Sequence, residues 1–436
     1  MARGHRAAVS LPRSGRAAVE AVWRRESARI VGTLTRHTGD FALAEDVAQE
    51  SLAEALVAWP RDGVPRDPAA WLLTVARRRA IDAYRRRSRL EERYDALARD
   101  PGEGTAASGA FGVRTGSGED VLWDPDRIGD DVLALMFIAC HPVVSPEARV
   151  ALTLRVLGGL TSDEIARAFL VPVATVQARI TRAKKTLAAA QVRFAVPAAE
   201  ERHERLGSVL SVLYLIFTEG SSATSGADWI RADLAREAVR LARVVTRLMP
   251  DEPEAHGLLA LFELTAARFP GRLRDDGEPV LLEQQDRRRW DRSAIRRGRA
   301  ALARAGRTGR GLGAYGVQAA IAECHAVAPS VDETDWERIV LLYEALGRLA
   351  PSPVVELNRA VAISVAQGPA AALPLVDRLV SGGSLSGSHL LASVRGELLI
   401  RLGRVDEARQ ELEVALQRCG NERERGVLER KLAGLL

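Results

Sequence analysis

The segment 161–187, TSDEIARAFLVPVATVQARITRAKKTL, constrains the fold more than any other part of the sequence. Thr161 and Glu164 stand three apart, the spacing at which each side chain reaches the other's backbone N–H and starts a helix. Ile165, Ala166 and Phe169 give that helix one apolar face. Val171-Pro172 ends it, and a proline suits the first turn of a following helix. In the second helix Val176 and Ile180 point inward. Gln177, Arg179, Arg182, Lys184 and Lys185 take polar positions, and no acid falls between 173 and 187. Two short helices at a tight turn, the second basic, make a helix-turn-helix suited to a major groove. Thr175, Gln177 and Arg179, near the start of that helix, are candidates for base edges. Arg182, Lys184 and Lys185 are better placed for phosphates. A solvated amphipathic helix pair is the alternative reading.

Upstream, Val19, Val22, Trp23, Ile30 and Leu34 have helical spacing, Ala44 to Trp59 reads as a second helix, and Ala69 to Arg89 as a third. The third lies within PAAWLLTVARRRAIDAYRRRSR (68–89), which has seven arginines and one acid, Asp82. Arg77, Arg78, Arg85, Arg86 and Arg87 are phosphate-neutralising candidates, and Trp71 and Tyr84 can stack on unpaired bases. Trp71 can equally be a core anchor. On the second helix Asp46, Gln49 and Glu50 lie at i, i+3 and i+4, sharing a face that Glu54 extends. Such a face is commonly just solvated, or it docks a partner.

Charge supports this layout. The whole chain carries a net +5, and the entire excess lies in residues 1–196, while 197–436 balance to zero. Residues 100–131 are acidic, so the flanking helices are more basic than the average, as a polyanion partner requires. Residues 100–120 are rich in Gly, Ser and Thr and read as a flexible linker. No membrane span is expected, because no stretch approaches the ~18 uncharged apolar residues needed. Three cysteines, Cys140, Cys324 and Cys419, give no disulfide framework and fit a reducing cytoplasm. Cys140-His141 and Cys324-His325 are neighbours that point in different directions on a helix, so no metal site is expected.

From about 200 the chain is Ala/Leu-rich helix, with breaks expected at Pro250, Pro270, Pro329, Pro351 and Gly420. Strand alternation is nearly absent, and the fold class is all-α. Ala360, Gly368 and Ala372 recur 36 residues on as Gly396, Arg404 and Ala408, with Gly403 near the turn and Leu412 and Ala415 following. A period near ~34 residues is that of tetratricopeptide repeats, with generic helical hairpins as the alternative.

The order of acidic helix, arginine-aromatic helix, linker and helix-turn-helix resembles sigma factors of the extracytoplasmic-function group. DVAQE (46–50) resembles their docking helix for core RNA polymerase. PAAWLLTVARRRAIDAYRR (68–86) resembles the element that opens and reads the promoter −10 region. LTSDEIARAFLVPVATVQARITRAKKTL (160–187) resembles the −35 reader. CHPVVSPEARVALTLRVLGGLT (140–161), VLYLIFTEGSSA (212–223), LLEQQDRRRWD (281–291) and SPVVELNRAVA (352–362) are similar to the subgroup with a C-terminal tetratricopeptide-like extension. Phe217-Thr218-Glu219-Gly220-Ser221 departs from that subgroup's Phe-Asn-Glu-Gly-Tyr, and the linker is longer and richer in glycine.

The resemblance implies four sections: 17–90 (sigma region 2), 91–129 (flexible acidic linker), 130–196 (sigma region 4) and 197–436 (helical-repeat regulatory domain). It implies that Asp46, Gln49, Glu50 and Glu54 bind core polymerase, and that Arg61, Asp62, Arg66 and Asp67 in the loop 60–68 read a flipped −10 base. Promoter DNA and core polymerase are then the partners, and a protein or peptide is a further partner of the repeat domain. No cofactor is implied. The apolar stretch 206–220 is expected to be buried against 130–196, with Leu213, Leu215, Ile216 and Phe217 finding partners on the helix-turn-helix domain. A DNA-binding activator and a repeat scaffold remain as alternatives. The first needs only the helix-turn-helix, and the second predicts no salt-dependent promoter binding. An enzyme has little support: there is no GxxxxGK[ST] loop, no Ser/His/Asp set, and the histidines are scattered.

Overall fold

The computed structural model describes residues 12–98, 125–169, 171–222, 230–274 and 278–435. Among them the fold is all-α, with an isolated β-bridge between Leu273 and Pro279. Chain contacts divide it into two units, one running to Val212 and one from Leu213, with residues 168–170 counted to the second.

Unit one contains α1 (Pro12–Thr38), α2 (Phe41–Asp62), α3 (Pro68–Ala98), α4 (Pro125–Ala139), α5 (Pro146–Val156), α6 (Ser162–Phe169), α7 (Val173–Ala189) and the first part of α8 (Ala199–Ser221). Val19, Trp23, Ile30 and Leu34 are buried, as their spacing predicts, and so are Ala44, Val47, Ala48 and Ala55 of α2. Asp40 caps α2 by accepting from the Leu43 N–H at 3.0 Å, and Gly63, at φ +87°, ends it by donating to the Trp59 carbonyl. α3 passes its expected end at Arg89 and takes in part of the expected linker. The sequence Leu90 to Ala98 has no glycine or proline and is rich in good helix formers, so nothing stops it earlier. Of the rest of the linker, 99–124 lies outside the described residues, and 125–129 form the first turn of α4.

The capping box of α6 forms as expected. The Thr161 N–H donates to Glu164 at 2.8 Å and the Glu164 N–H to Thr161 Oγ1 at 3.2 Å. Pro172 differs by one position: it is the residue before α7, with φ −59° and ψ 144°, not part of the first turn. Its ring-fixed φ suits an extended entry as well as a helical one. The first half of α8 closes α4 and α5. Arg205 donates to the Phe137 carbonyl and Ser208 to the Cys140 carbonyl, at 3.0 and 2.5 Å, and Arg149 donates to Ser208. These bonds satisfy carbonyls at the end of α4 that a helix cannot bond internally.

Unit two holds the end of α8, then α9 (Ala232–Leu248), α10 (Pro253–Ala266), α11 (Phe269–Arg272), α12 (Arg292–Arg307), α13 (Ala314–Val327) and α14 (Trp336–Leu349). These are followed by α15 (Pro353–Ala366), α16 (Pro369–Ser381), α17 (His389–Arg401), α18 (Val405–Arg418) and α19 (Glu422–Ala433). Four of the expected breaks fall between helices, while Pro270 lies inside the single turn of α11. Leu213, Ile216 and Phe217 are buried. Phe217 is expected to find its partners on the helix-turn-helix domain, but it stacks on Phe262 at 4.1 Å and faces Phe269 at 6.4 Å. Leu215 is exposed. Helical phase explains the difference, because Leu213, Ile216 and Phe217 share a face that Leu215 cannot join.

The 281–291 stretch is a cap system. Asp291 starts α12 by accepting from Ser293 and Ala294 N–H groups. The buried Arg287 donates to the carbonyls of His325 and Ala328 at the end of α13. Farther on, α15–α16 and α17–α18 are two helical hairpins with the spacing of the sequence repeat. Ala360, Ala372, Ala408, Leu412 and Ala415 are fully buried. A Cβ on Gly396 would sit 3.2 Å from Leu412, so the close approach of α17 and α18 favours glycine there.

Candidate nucleic-acid and polymerase interface

The acidic face of α2 is already engaged within unit one. Asp46 is 65% exposed and accepts from Lys184 Nζ at 2.7 Å. Glu50 and Glu54 accept from Arg79 of α3 at 2.9 and 2.6 Å. These bonds raise the Arg79 pKa above the ordinary arginine value. Gln49 is half-buried, and its amide Nε2 has no hydrogen-bond partner.

Sequence reasoning passed over Glu45. It is 3% exposed and takes two cations, Arg155 of α5 at 3.2 Å and Lys184 of α7. Burial works against the charge of Lys184, but Glu45 and Asp46 outweigh it and hold its pKa above the usual lysine value. The signal for Glu45 was faint: the residue sits between Ala44 and Asp46, one position inside the apolar phase of α2.

The loop expected at 60–68 is shorter, because α2 runs on through Pro60 to Asp62: Arg61 and Asp62 are exposed in its last turn, Arg66 and Asp67 are exposed before α3, and Asp67 also caps α3 through the Ala70 N–H. Trp71 is half-buried and meets the buried Trp59 edge-on at 5.6 Å, so it is at least partly the core anchor that the sequence allowed. Arg77, Arg78, Arg85 and Arg86 are exposed along α3. Tyr84 and Arg87 lie on the same helix, and their side chains fall outside the described residues. On α7, Val176, Ile180, Ala183 and Leu187 are buried, while Gln177, Arg182 and Lys185 are exposed and Thr175 and Arg179 half-buried. Lys184 is set apart from its neighbours by its two carboxylate partners.

This arrangement offers an exposed polar edge on α7, a cationic run on α3 and exposed charged residues where α2 gives way to α3. It brings the α2 face and α7 together, pairs Arg78 with Glu54 at 3.9 Å, and leaves Arg77, Arg85 and Arg86 exposed. Metal chemistry has less to work with. His389, Cys419 and Glu424 place three donor atoms within 4.8 Å of one another. That is one short of a closed tetrahedral set. His389 Nε2 lies 3.0 Å from Glu424 but off the hydrogen-bond line.

Residues 22–90 match sigma-70 region 2, and residues 134–187 match sigma-70 region 4. The chain carries both conserved regions of the sigma-70 factors. Residues 205–306 match a family of unknown function (DUF6596). The chain is 44% identical over 402 residues to the uncharacterized protein R00370 of Rhizobium meliloti (strain 1021), covering 92% of each chain. It is 29% identical over 163 residues to the ECF RNA polymerase sigma factor SigK of Mycobacterium ulcerans (strain Agy99), covering 36% of this chain and 78% of that one. It is 27% identical over 187 residues to the probable ECF RNA polymerase sigma factor SigI of Mycobacterium tuberculosis (strain ATCC 25618 / H37Rv), covering 42% and 59%. No solved structure matches. The region 2 match falls on α1 to α3 and the region 4 match on α4 to α7, so the two matched regions together make most of unit one. Among the described residues, no helix is long and apolar enough to cross a membrane.

Proposed function

We propose that this protein is a cytoplasmic extracytoplasmic-function sigma factor that directs core RNA polymerase to particular promoters and is regulated by its own C-terminal helical domain. The observation that carries the reading is the pairing of regions 2 and 4 with a second helix whose polar edge is exposed and basic. Asp46, Gln49, Glu50 and Glu54 dock on the polymerase. Arg61, Asp62 and Arg66 receive the opened −10 strand, Trp71 and Tyr84 stack on its bases, and Arg77, Arg78 and Arg85 to Arg87 hold its backbone. Thr175, Gln177 and Arg179 read the −35 duplex, while Arg182, Lys184 and Lys185 bind its phosphates. The protein performs no covalent chemistry; it redirects the polymerase's own. The helical hairpins of unit two form a tetratricopeptide-like surface for a protein or peptide partner, as stacked helix pairs do elsewhere. The test is run-off transcription from genomic templates with core polymerase, with and without the purified chain. Discrete new start sites that depend on the chain support the reading. An unchanged transcript pattern together with no co-purification with core enzyme rejects it.

A further inference from the structure

We infer that His389, Cys419 and Glu424 form a zinc site that fastens the last helix of unit two, α19, to the hairpin α17–α18. The inference concerns unit two alone and stands apart from the promoter reading.

Local rules place the three donors. Ser388 accepts from the Leu390 N–H and starts α17, so His389 is the first residue of that helix. Cys419 ends α18. The buried Asn421 accepts from the Arg423 and Glu424 N–H groups at 3.0 and 3.2 Å and starts α19. Arg425 donates to the Cys419 carbonyl at 2.7 Å and ties this turn to itself. Three helix ends thus deliver an imidazole nitrogen, a sulfur and a carboxylate oxygen to one point, all within 4.8 Å of one another. Tetrahedral zinc holds such donors about 3.3–3.6 Å apart, so small side-chain rotations close the set. Neither adjacent Cys-His pair of the sequence takes part, which is why spacing gave no sign of it.

The donor set selects the ion. Sulfur, imidazole nitrogen and carboxylate oxygen together suit zinc, whereas calcium and magnesium take oxygen ligands. A thiolate and a carboxylate match the charge of a dication, so the loaded site is neutral and tolerates partial burial. His389 Nε2 is shielded from solvent and bonds to no acceptor, and a buried polar atom in that position calls for a partner. The side chains of His389 and Glu424 are 19% and 31% exposed, with Cys419 beneath them at 2%. The ion enters past the first two, and the thiol gives its proton to water as the sulfur binds. Water completes the fourth position.

The site lies where the fold is thinnest. Cys419 packs with Ala392, Leu412, Ala415 and Leu428 in a small apolar cluster shared by α17, α18 and α19. A terminal element of a helical stack has a neighbour on one side only. Zinc adds a cross-link there.

Cobalt(II) is the spectroscopic probe, added to the untagged full-length chain after a chelator has stripped it of metal. One equivalent should give the visible ligand-field bands of a four-coordinate site and a near-ultraviolet thiolate-to-cobalt charge-transfer band, and zinc should bleach both. Cys419→Ser should abolish the charge-transfer band, while Cys324→Ser should leave it. His389→Gln and Glu424→Gln, which spare the apolar cluster, should each weaken zinc binding at least about tenfold in competition with a chromophoric chelator. Zinc at about a hundred times its Kd should raise the melting temperature of unit two by about 5–10 °C, and should not do so in His389→Gln. No thiolate band in the native chain, its persistence in Cys419→Ser, or zinc affinity unchanged in both His389→Gln and Glu424→Gln would each overturn the site. If Cys419→Ser fails to fold, the last two variants decide.

Discussion

Arg79 of α3 grips Glu54 of α2 at 2.6 Å. With Glu50 held by the same guanidinium, two carboxylates of the proposed docking face are neutralised by their own domain. Arg79→Ala should release them. The pair is partly solvent-exposed, so the expected loss of stability is small, at most about 1 kcal/mol. Core-polymerase affinity should rise, because the freed carboxylates no longer need to be taken from Arg79. Titration of labelled core enzyme checks this, and a fall in affinity would mean that Arg79 itself takes part in docking.

The exposed edge of α7 should separate base reading from phosphate binding. Gln177→Ala is expected to relax −35 preference by about 1–3 kcal/mol if it makes a good base contact. Lys185→Ala should weaken all sequences alike and reduce the log–log salt slope by about 0.9. Selection from a random duplex library, performed with holoenzyme, distinguishes them. Identical motifs from wild type and Gln177→Ala would remove α7 from the recognition role.

Phe217 anchors unit two through its stack on Phe262. Phe217→Ala should destabilise that unit by about 3–5 kcal/mol, as buried aromatic truncations do. Denaturant unfolding followed by circular dichroism measures it. A cost below about 1 kcal/mol would show that the pocket collapses around the smaller side chain.

His325 makes unit two sensitive to acid. Burial, helped by the positive charges of Arg268 and Arg287, pushes its pKa down to about 4. The unfolded chain titrates near 6.5. Between those values the unfolded chain binds a proton that the folded chain refuses, so stability increases with pH there and is lost on acidification. The expected loss at about pH 5 is on the order of 2 kcal/mol. His325→Gln should flatten the difference between unfolding midpoints at about pH 7 and pH 5. An equally steep difference in the variant would place the titration elsewhere.

Truncation tests where unit one ends. A chain stopped at Ala195 loses Leu206, Val209 and Leu210, which are buried, together with the Ser208 bond to Cys140. It should unfold at lower temperature and lose transcription activity. A chain stopped at Val212 keeps those contacts and should fold better. Equal melting of the two would show that α8 is dispensable to unit one.

Much of this was legible in the sequence. Thr161 and Glu164 announced α6 because capping is local, and Val19, Trp23 and Ile30 announced α1 because their period is. Long-range charge was not legible. Asp46 and Lys184 are 138 residues apart, and each reads on its own as a surface charge free for a partner. Glu45 drew no reading at all, since nothing local says that Arg155 will cover it. Phe217 was read as apolar enough to be buried, correctly, but its partner Phe262 depends on how α8 meets α10, which periodicity does not encode.

The three cysteines sit deep in the fold, Cys140 in unit one and Cys324 and Cys419 in unit two. Burial raises all three thiol pKa values, that of Cys140 to about 11. Protonated and sealed, they are poor nucleophiles toward any reagent that meets the native surface. Modification must therefore wait for spontaneous opening of the surrounding helices. Mass-resolved alkylation of the intact chain would time the breathing of each unit separately, with no label to be engineered.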